Sequence, residues 1–221
     1  DLKLSRGLGD VYKRQRLGNP TVGALEARLT ALEDGAMCVA LSSGTSAVMY
    51  SLINIMSQGD NFVTANQLYG GTYTMFDNIL PEYGINSKKV DITDFEAVES
   101  AIDEKTRAIY CETITNPGLV VADISALADI AHSKGIPLIV DATFTTSAIL
   151  KPFEFGADIV VYSLTKWMSG HGRVIAGAVI EKGGFDWGNG NFPLYDKPDT
   201  SYGGMRSVSY THLRAHETAS D

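Results

Sequence analysis

Short apolar runs separated by helix-like stretches constrain this chain more than any other feature. The runs fall at 61–65, 107–111, 136–140 and 158–162. Each is about five residues, which suits strands buried on both faces. Helical patterns lie between them, at 72–80, 94–103 and 123–134. Upstream, Val22, Leu25, Leu29 and Leu32 recur at helical spacing, behind Pro20 and Thr21 as start signals and ahead of Gly35 as a stop. The segment Ala36–Leu41 precedes a second helix, read from Ala47 to Met56. Alternating strands and helices imply an α/β fold, a mainly parallel sheet covered on both faces. A last run, Val174 to Ile180, follows 158–162 too closely for a helical crossover, so an antiparallel strand is expected there.

Bulk properties exclude several function classes. The 221 residues are 44% hydrophobic and 20% charged, as in ordinary globular proteins. No apolar run approaches the roughly 20 residues that span a bilayer. The net charge is −8 without a basic stripe, which argues against nucleic acid and anionic membranes as partners. Cys38 and Cys111 lie in apolar stretches and read as reduced, buried thiols of a cytoplasmic protein. Residues 1–15 and 207–221 are polar and unpatterned, and read as a non-native leader and tail around a domain at 16–206. His212 and His216 in that tail are four apart but lack a third ligand, so no metal site is expected.

In open parallel sheets, ligands bind beyond the carboxyl ends of the strands, and polar residues collect there. Ser42-Ser43-Gly44-Thr45-Ser46 opens a helix, where free N–H groups and the helix dipole favour a phosphate. A plain Ser/Thr helix cap is the competing reading. Asp141 ends an apolar run. There it either caps the next segment or pairs with a cation, because an isolated buried carboxylate is costly. Ser163-Leu164-Thr165-Lys166 follows another run. A lysine shielded from water can form a Schiff base, with the two hydroxyls turned to a phosphate. Glu112-Thr113-Ile114-Thr115-Asn116-Pro117 is either a turn or a polar pair facing the cleft. Tyr69-Gly70-Gly71-Thr72 can supply an aromatic face for stacking. An anion site, an acid, a lysine and a stacking face are together what pyridoxal 5′-phosphate (PLP) requires.

The chain resembles the Cys/Met-metabolism family of PLP enzymes. The resemblance runs from about Arg16 to Arg206, through RLGNPT (16–21), LEARLTALEDG (25–35), SSGTSA (42–47), YGGT (69–72), ETITNP (112–117), VDATF (140–144) and YSLTKWMSGHG (162–172). It implies the aspartate-aminotransferase-like large domain, PLP fold type I, with a seven-stranded sheet and without the small C-terminal domain. It also implies residue roles. Lys166 becomes the Schiff-base lysine and proton shuttle, Asp141 the partner of the pyridine nitrogen, and Tyr69 the stacking ring. Ser43, Gly44, Thr45, Ser163 and Thr165 hold the phosphate, and Arg16 reaches the phosphate of a neighbouring subunit in a homodimer or homotetramer. Asn116 helps to hold the substrate carboxylate.

Within the family, residues 183–204 (GGFDWGNGNFPLYDKPDTSYGG) are similar to O-acetylhomoserine sulfhydrylases. That branch replaces the γ-acetate of O-acetylhomoserine with sulfide to give homocysteine. Gly71 stands where methionine γ-lyases usually carry cysteine, and the insertion departs from cystathionine γ-synthases. The sequence also leaves the family pattern at Arg14, where a tyrosine is usual, and at VDATF, which replaces Asp-Asn-Thr. Two other readings remain. One is a truncated fragment that binds PLP without turnover, and the other is a nucleotide-binding α/β domain.

Overall fold

The structure is a computed structural model and describes residues 19–198 together with 200, 203, 204 and 206. Arg16, Arg14, the leader at 1–15, the tail at 207–221 and the His212/His216 pair all lie outside the described residues.

Seven strands form one sheet: β1 (Met37–Leu41), β2 (Asn61–Ala65), β3 (Asn86–Val90), β4 (Thr106–Glu112), β5 (Leu138–Asp141), β6 (Ile159–Ser163) and β7 (Gly177–Glu181). Their order is β1-β7-β6-β5-β4-β2-β3. The pairs β3/β2, β2/β4, β4/β5 and β5/β6 are parallel, while β7 runs antiparallel to both β6 and β1. The antiparallel strand expected after 158–162 is therefore present, and it is β7. Every residue of β2 and β4 is buried. That requires cover on both faces and explains why these strands read as continuous apolar runs.

The helices are α1 (Pro20–Glu33), α2 (Gly44–Ile53), α3 (Gly70–Thr74), α4 (Phe95–Ala101), α5 (Ile124–Ser133), α6 (Thr146–Ile149) and α7 (Pro193–Asp196). Their starts follow local chemistry. The side chains of Asn19, Ser43, Asp94 and Asp123 each accept a first-turn backbone N–H, which satisfies groups the helix leaves orphaned. α1 ends at Asp34, whose positive φ of 56° closes it one residue before the expected Gly35. The single helix expected at 72–80 is instead three turns of different pitch. α3 passes into a π-helical turn at Met75–Ile79 and a 3-10 turn at Leu80–Tyr83, where Pro81 cannot donate an α-helical bond.

The apolar residues that recur along α1 do not share one environment: Val22, Leu25 and Leu32 are exposed and only Leu29 is buried. Strand β3 had no apolar run to reveal it. The core is one cluster centred on the sheet, with Tyr110, Tyr162, Phe62 and Phe76 among its largest buried side chains. Cys38 and Cys111 are both free and buried. Burial pushes each thiol up to about 12, so both are protonated and inert near neutral pH. Among the described residues, no helix is long and apolar enough to cross a membrane.

Candidate active site

The carboxyl ends of β1, β6, β5, β4 and β2 lie side by side along one edge of the sheet, and the polar segments singled out in the sequence all leave from it. Leu41 and Ser163 both pair with Gly177, at the start of β7. Asp141 pairs with Val161 on one side and Glu112 on the other.

The loop after β1 and the end of β6 are pressed together. A Cβ on Gly44 would lie 2.5 Å from the Ser163 Cβ, and one on Gly177 would lie 2.1 Å from the Ser43 carbonyl oxygen. Two missing side chains thus let the N-terminus of α2 sit on the strand ends. The Ser43 hydroxyl accepts the Ser46 N–H at 3.0 Å, so its side chain acts as the helix cap. The N–H groups of Gly44 and Thr45 belong to the first turn, which has no intrahelical acceptor to offer them. They are free donors at this edge, of the kind that suits an anion.

Ser163 donates its backbone N–H to the Thr143 hydroxyl at 2.7 Å, and the Thr143 N–H donates to Asp141 Oδ1 at 2.9 Å. Tyr110 donates its hydroxyl to Asp141 Oδ2 at 3.3 Å. Asp141 is therefore fixed from both sides. Burial raises its pKa, and the bonds from Thr143 and Tyr110 pull it back down. A cation beside it would favour the carboxylate further. Thr143 escaped the sequence reading, although a hydroxyl two residues beyond an acid at a strand end was a usable signal.

The Lys166 N–H bonds to the Ser163 carbonyl oxygen at 3.2 Å, which places the lysine on the turn leaving β6. The sequence reading expected a lysine shielded from water, but the lysine is exposed. The Thr165 hydroxyl is engaged with β7, donating to the Ala176 carbonyl at 3.3 Å and accepting the Ala176 N–H at 3.2 Å. It therefore fastens the lysine turn to the sheet. Tyr69 caps the start of α3 with its ring exposed. That ring folds over Gly71, where a Cβ would meet its Cε1 at 2.7 Å. Asn116 is exposed. Its backbone N–H and that of Tyr69 both donate to Glu112, so these two residues are tied to one carboxylate. The structure thus gathers every described site residue on one edge; Arg16 is outside the described residues. Among these, no group of three or more His, Cys, Asp or Glu is arranged to hold a metal.

A doubly covered α/β sheet with a helix N-terminus, an anchored acid, a lysine and an aromatic ring on one edge defines a site of the kind that PLP-dependent enzymes use. The chain belongs to the Cys/Met metabolism PLP-dependent enzyme family, whose sequence model matches residues 3–218. It is 44% identical over 198 residues to O-acetyl-L-homoserine sulfhydrylase of Leptospira meyeri, covering 90% of this chain and 44% of that protein. It is 44% identical over 197 residues to homocysteine synthase of Schizosaccharomyces pombe, covering 88% of this chain and 46% of that protein. Among solved structures, it is similar to a Campylobacter jejuni protein assigned as an O-acetylhomoserine (thiol)-lyase and carrying N′-pyridoxyl-lysine-5′-monophosphate. That similarity has a TM-score of 0.85 and 38% identity, over 88% of this chain and 48% of the other. Cystathionine gamma-lyase from Lactobacillus plantarum, solved with L-serine, superposes with a TM-score of 0.72 at 40% identity, over 75% of this chain and 43% of the other. The fold is the aspartate-aminotransferase-like one. The chain spans about half the length of the relatives it matches.

Proposed function

We propose that this chain is the cofactor-binding part of a PLP-dependent enzyme that converts O-acetylhomoserine and sulfide to homocysteine and acetate. The observation that carries the reading is the continuous hydrogen-bonded edge from Ser163 through Thr143 and Asp141, with Glu112 alongside. The residues present fit the group: amide and hydroxyl donors for a phosphate, an anchored acid for a ring nitrogen, an aromatic face and an amine. When bound, PLP supplies an electron sink for charge that develops on the substrate amino acid.

The residues then divide the work. The Gly44 and Thr45 N–H groups hold the phosphate, helped by the hydroxyls of Ser43 and Ser163, while Thr165, expected to join them, holds the turn through Ala176. Asp141, fixed by Thr143 and Tyr110, keeps the ring nitrogen protonated. Tyr69 covers the ring face. Lys166 offers its amine to the cofactor aldehyde and moves the substrate Cα proton. Asn116 holds the substrate carboxylate. Arg16 serves the phosphate of a second copy, so the working assembly is a homodimer or homotetramer. The apolar residues Tyr69, Leu119, Val121, Phe144, Trp167 and Ile175 support an assembly, since all are exposed in segments flanking these strand ends and exposed apolar patches mark contact surfaces. The cellular setting is the cytoplasm. A second reading, that the 221 residues bind PLP without completing turnover, is favoured by the exposure of Lys166, Tyr69 and Asn116, which admits water.

The test adds PLP to the purified chain and reduces it with borohydride. We expect a yellow species and a pyridoxyl adduct on Lys166. Absence of the adduct, or one that persists in Lys166→Ala, overturns the reading. Release of acetate from O-acetylhomoserine with sulfide, compared with methanethiol and cysteine, then tests the reaction.

A further inference from the structure

We infer that Glu112 is a positioning residue: it sets the stacking tyrosine and the substrate-facing asparagine at a fixed spacing by holding both of their backbone N–H groups. The inference rests on the PLP reading of the site.

Glu112 is the last residue of β4 and is 6% exposed. A carboxylate so deep in a sheet is costly unless its oxygens are satisfied. Each oxygen has one partner. Oε1 accepts the Tyr69 N–H at 2.7 Å, and Oε2 accepts the Asn116 N–H at 3.0 Å. Tyr69 leaves β2, a strand adjacent to β4, while Asn116 belongs to the loop that leaves β4 itself. One side chain therefore joins two loops that the sheet alone would leave independent.

Tyr69 has need of this partner. It starts α3 with no side-chain cap of its own, and its exposed ring is held by no described hydrogen bond. Its orientation follows from its main chain and from the room left by Gly71. Asn116 is likewise exposed beyond the strand end. Both Glu112 oxygens are committed to backbone N–H groups. Its action passes through Tyr69 and Asn116. Glutamine keeps one carbonyl oxygen but turns an NH₂ toward the second N–H. Aspartate keeps the charge but is one methylene too short to reach both loops.

The experiment compares the purified wild-type chain with E112Q. Three quantities are measured: amide exchange at Tyr69 and Asn116 without cofactor, PLP affinity by absorbance titration, and circular dichroism of the bound visible band. In E112Q we expect faster exchange at both amides, PLP affinity about tenfold weaker, and an altered visible band. Its melting transition stays close to wild type, because a neutral amide is easier to bury than a carboxylate. A purely structural role would lower the melt and leave the visible band of the folded fraction unchanged, and that result overturns the inference. Wild-type exchange, affinity and band in E112Q also overturn it while leaving the PLP reading intact. Failure of the wild-type chain to form a Lys166 adduct overturns both. If E112Q does not fold, E112D takes its place. Faster exchange at one of the two amides with weakened affinity is then expected, and wild-type values overturn the inference.

Discussion

Gly44 and Ser163 are packed so closely that a Cβ on the glycine would lie 2.8 Å from the Ser163 Cα and 2.5 Å from its Cβ. They come from opposite ends of the domain sequence, and their contact brings a helix N-terminus onto the end of β6. The positions of the anion donors and of the lysine turn are therefore set by one backbone contact.

Substituting Gly44 tests this directly. In Gly44→Ala the new methyl meets backbone, which cannot rotate away, so α2 must lift from the strand. Overpacking of this kind costs about 1–3 kcal/mol. We expect a lower melting temperature and, in the folded protein, PLP affinity reduced by more than about tenfold as the amide donors move. Thermal melts with and without PLP, and a PLP titration, measure the two effects separately.

The Asp60–Arg107 pair offers a control far from the site. It lies at the opposite end of the strands, with 3.0 Å between charges and both side chains nearly buried. Arg107 also donates to the Glu104 carbonyl at 2.9 Å. Removing one member leaves a buried charge alone, at a cost of about 3–5 kcal/mol. Arg107→Ala should lower the unfolding free energy read from denaturant titration by that amount, while PLP affinity of the folded fraction stays at wild type.

Glu112 gives stability a pH dependence. Burial, with Asp141 adding repulsion, raises it from 4.5 to about 7. The folded chain thus holds this proton more tightly than the unfolded chain between those values. The associated stability is complete below pH 4.5 and is lost as pH rises through 7. The ionisable groups facing it are Asp141, Tyr110 and Cys111. Burial holds the latter two protonated throughout this window, and Asp141 adds a slope of the same sign because its own pKa is raised. Denaturant titrations at pH 4.5 to 8 should show wild-type stability falling across this range by up to about 3 kcal/mol. In Glu112→Gln only the slope due to Asp141 and other groups should remain.

Much of this was legible in the sequence because the central strands are buried on both faces. A run such as Ile159–Ser163 then announces itself by composition alone. Strand β3 was not legible, because Asn86, Ser87, Lys88 and Lys89 form an edge and edges carry charge. Helix α1 was legible as a helix, but not its surroundings: Val22, Leu25 and Leu32 are exposed among the described residues, and periodicity cannot say what a stripe meets. At the site, Asp141 and Lys166 stood out by position after apolar runs. Glu112 carried the same signal, an acid ending a strand. Its role depends on Tyr69, 43 residues away, and no local pattern encodes that distance.

The segment from Phe185 to Phe192 lies at the end of the sheet opposite Lys166. Trp187 donates its indole N–H to Glu181 at the far end of β7. Asn189 and Asn191 donate to the Gly135 carbonyl just before β5. Phe192 is 1% exposed and packs edge-on against Phe185 and Trp187, at 5.8 and 5.0 Å between centroids. The segment is thus an aromatic plug under the sheet, at the end opposite Lys166. Phe192→Ala should cost about 3–5 kcal/mol through the cavity it leaves, with fluorescence of the neighbouring Trp187 shifted to the red as water enters. PLP affinity in the folded protein should not change. A loss of affinity beyond the loss of folded protein would mean that the plug reaches the site through the sheet, and the separation drawn between the two ends would be wrong.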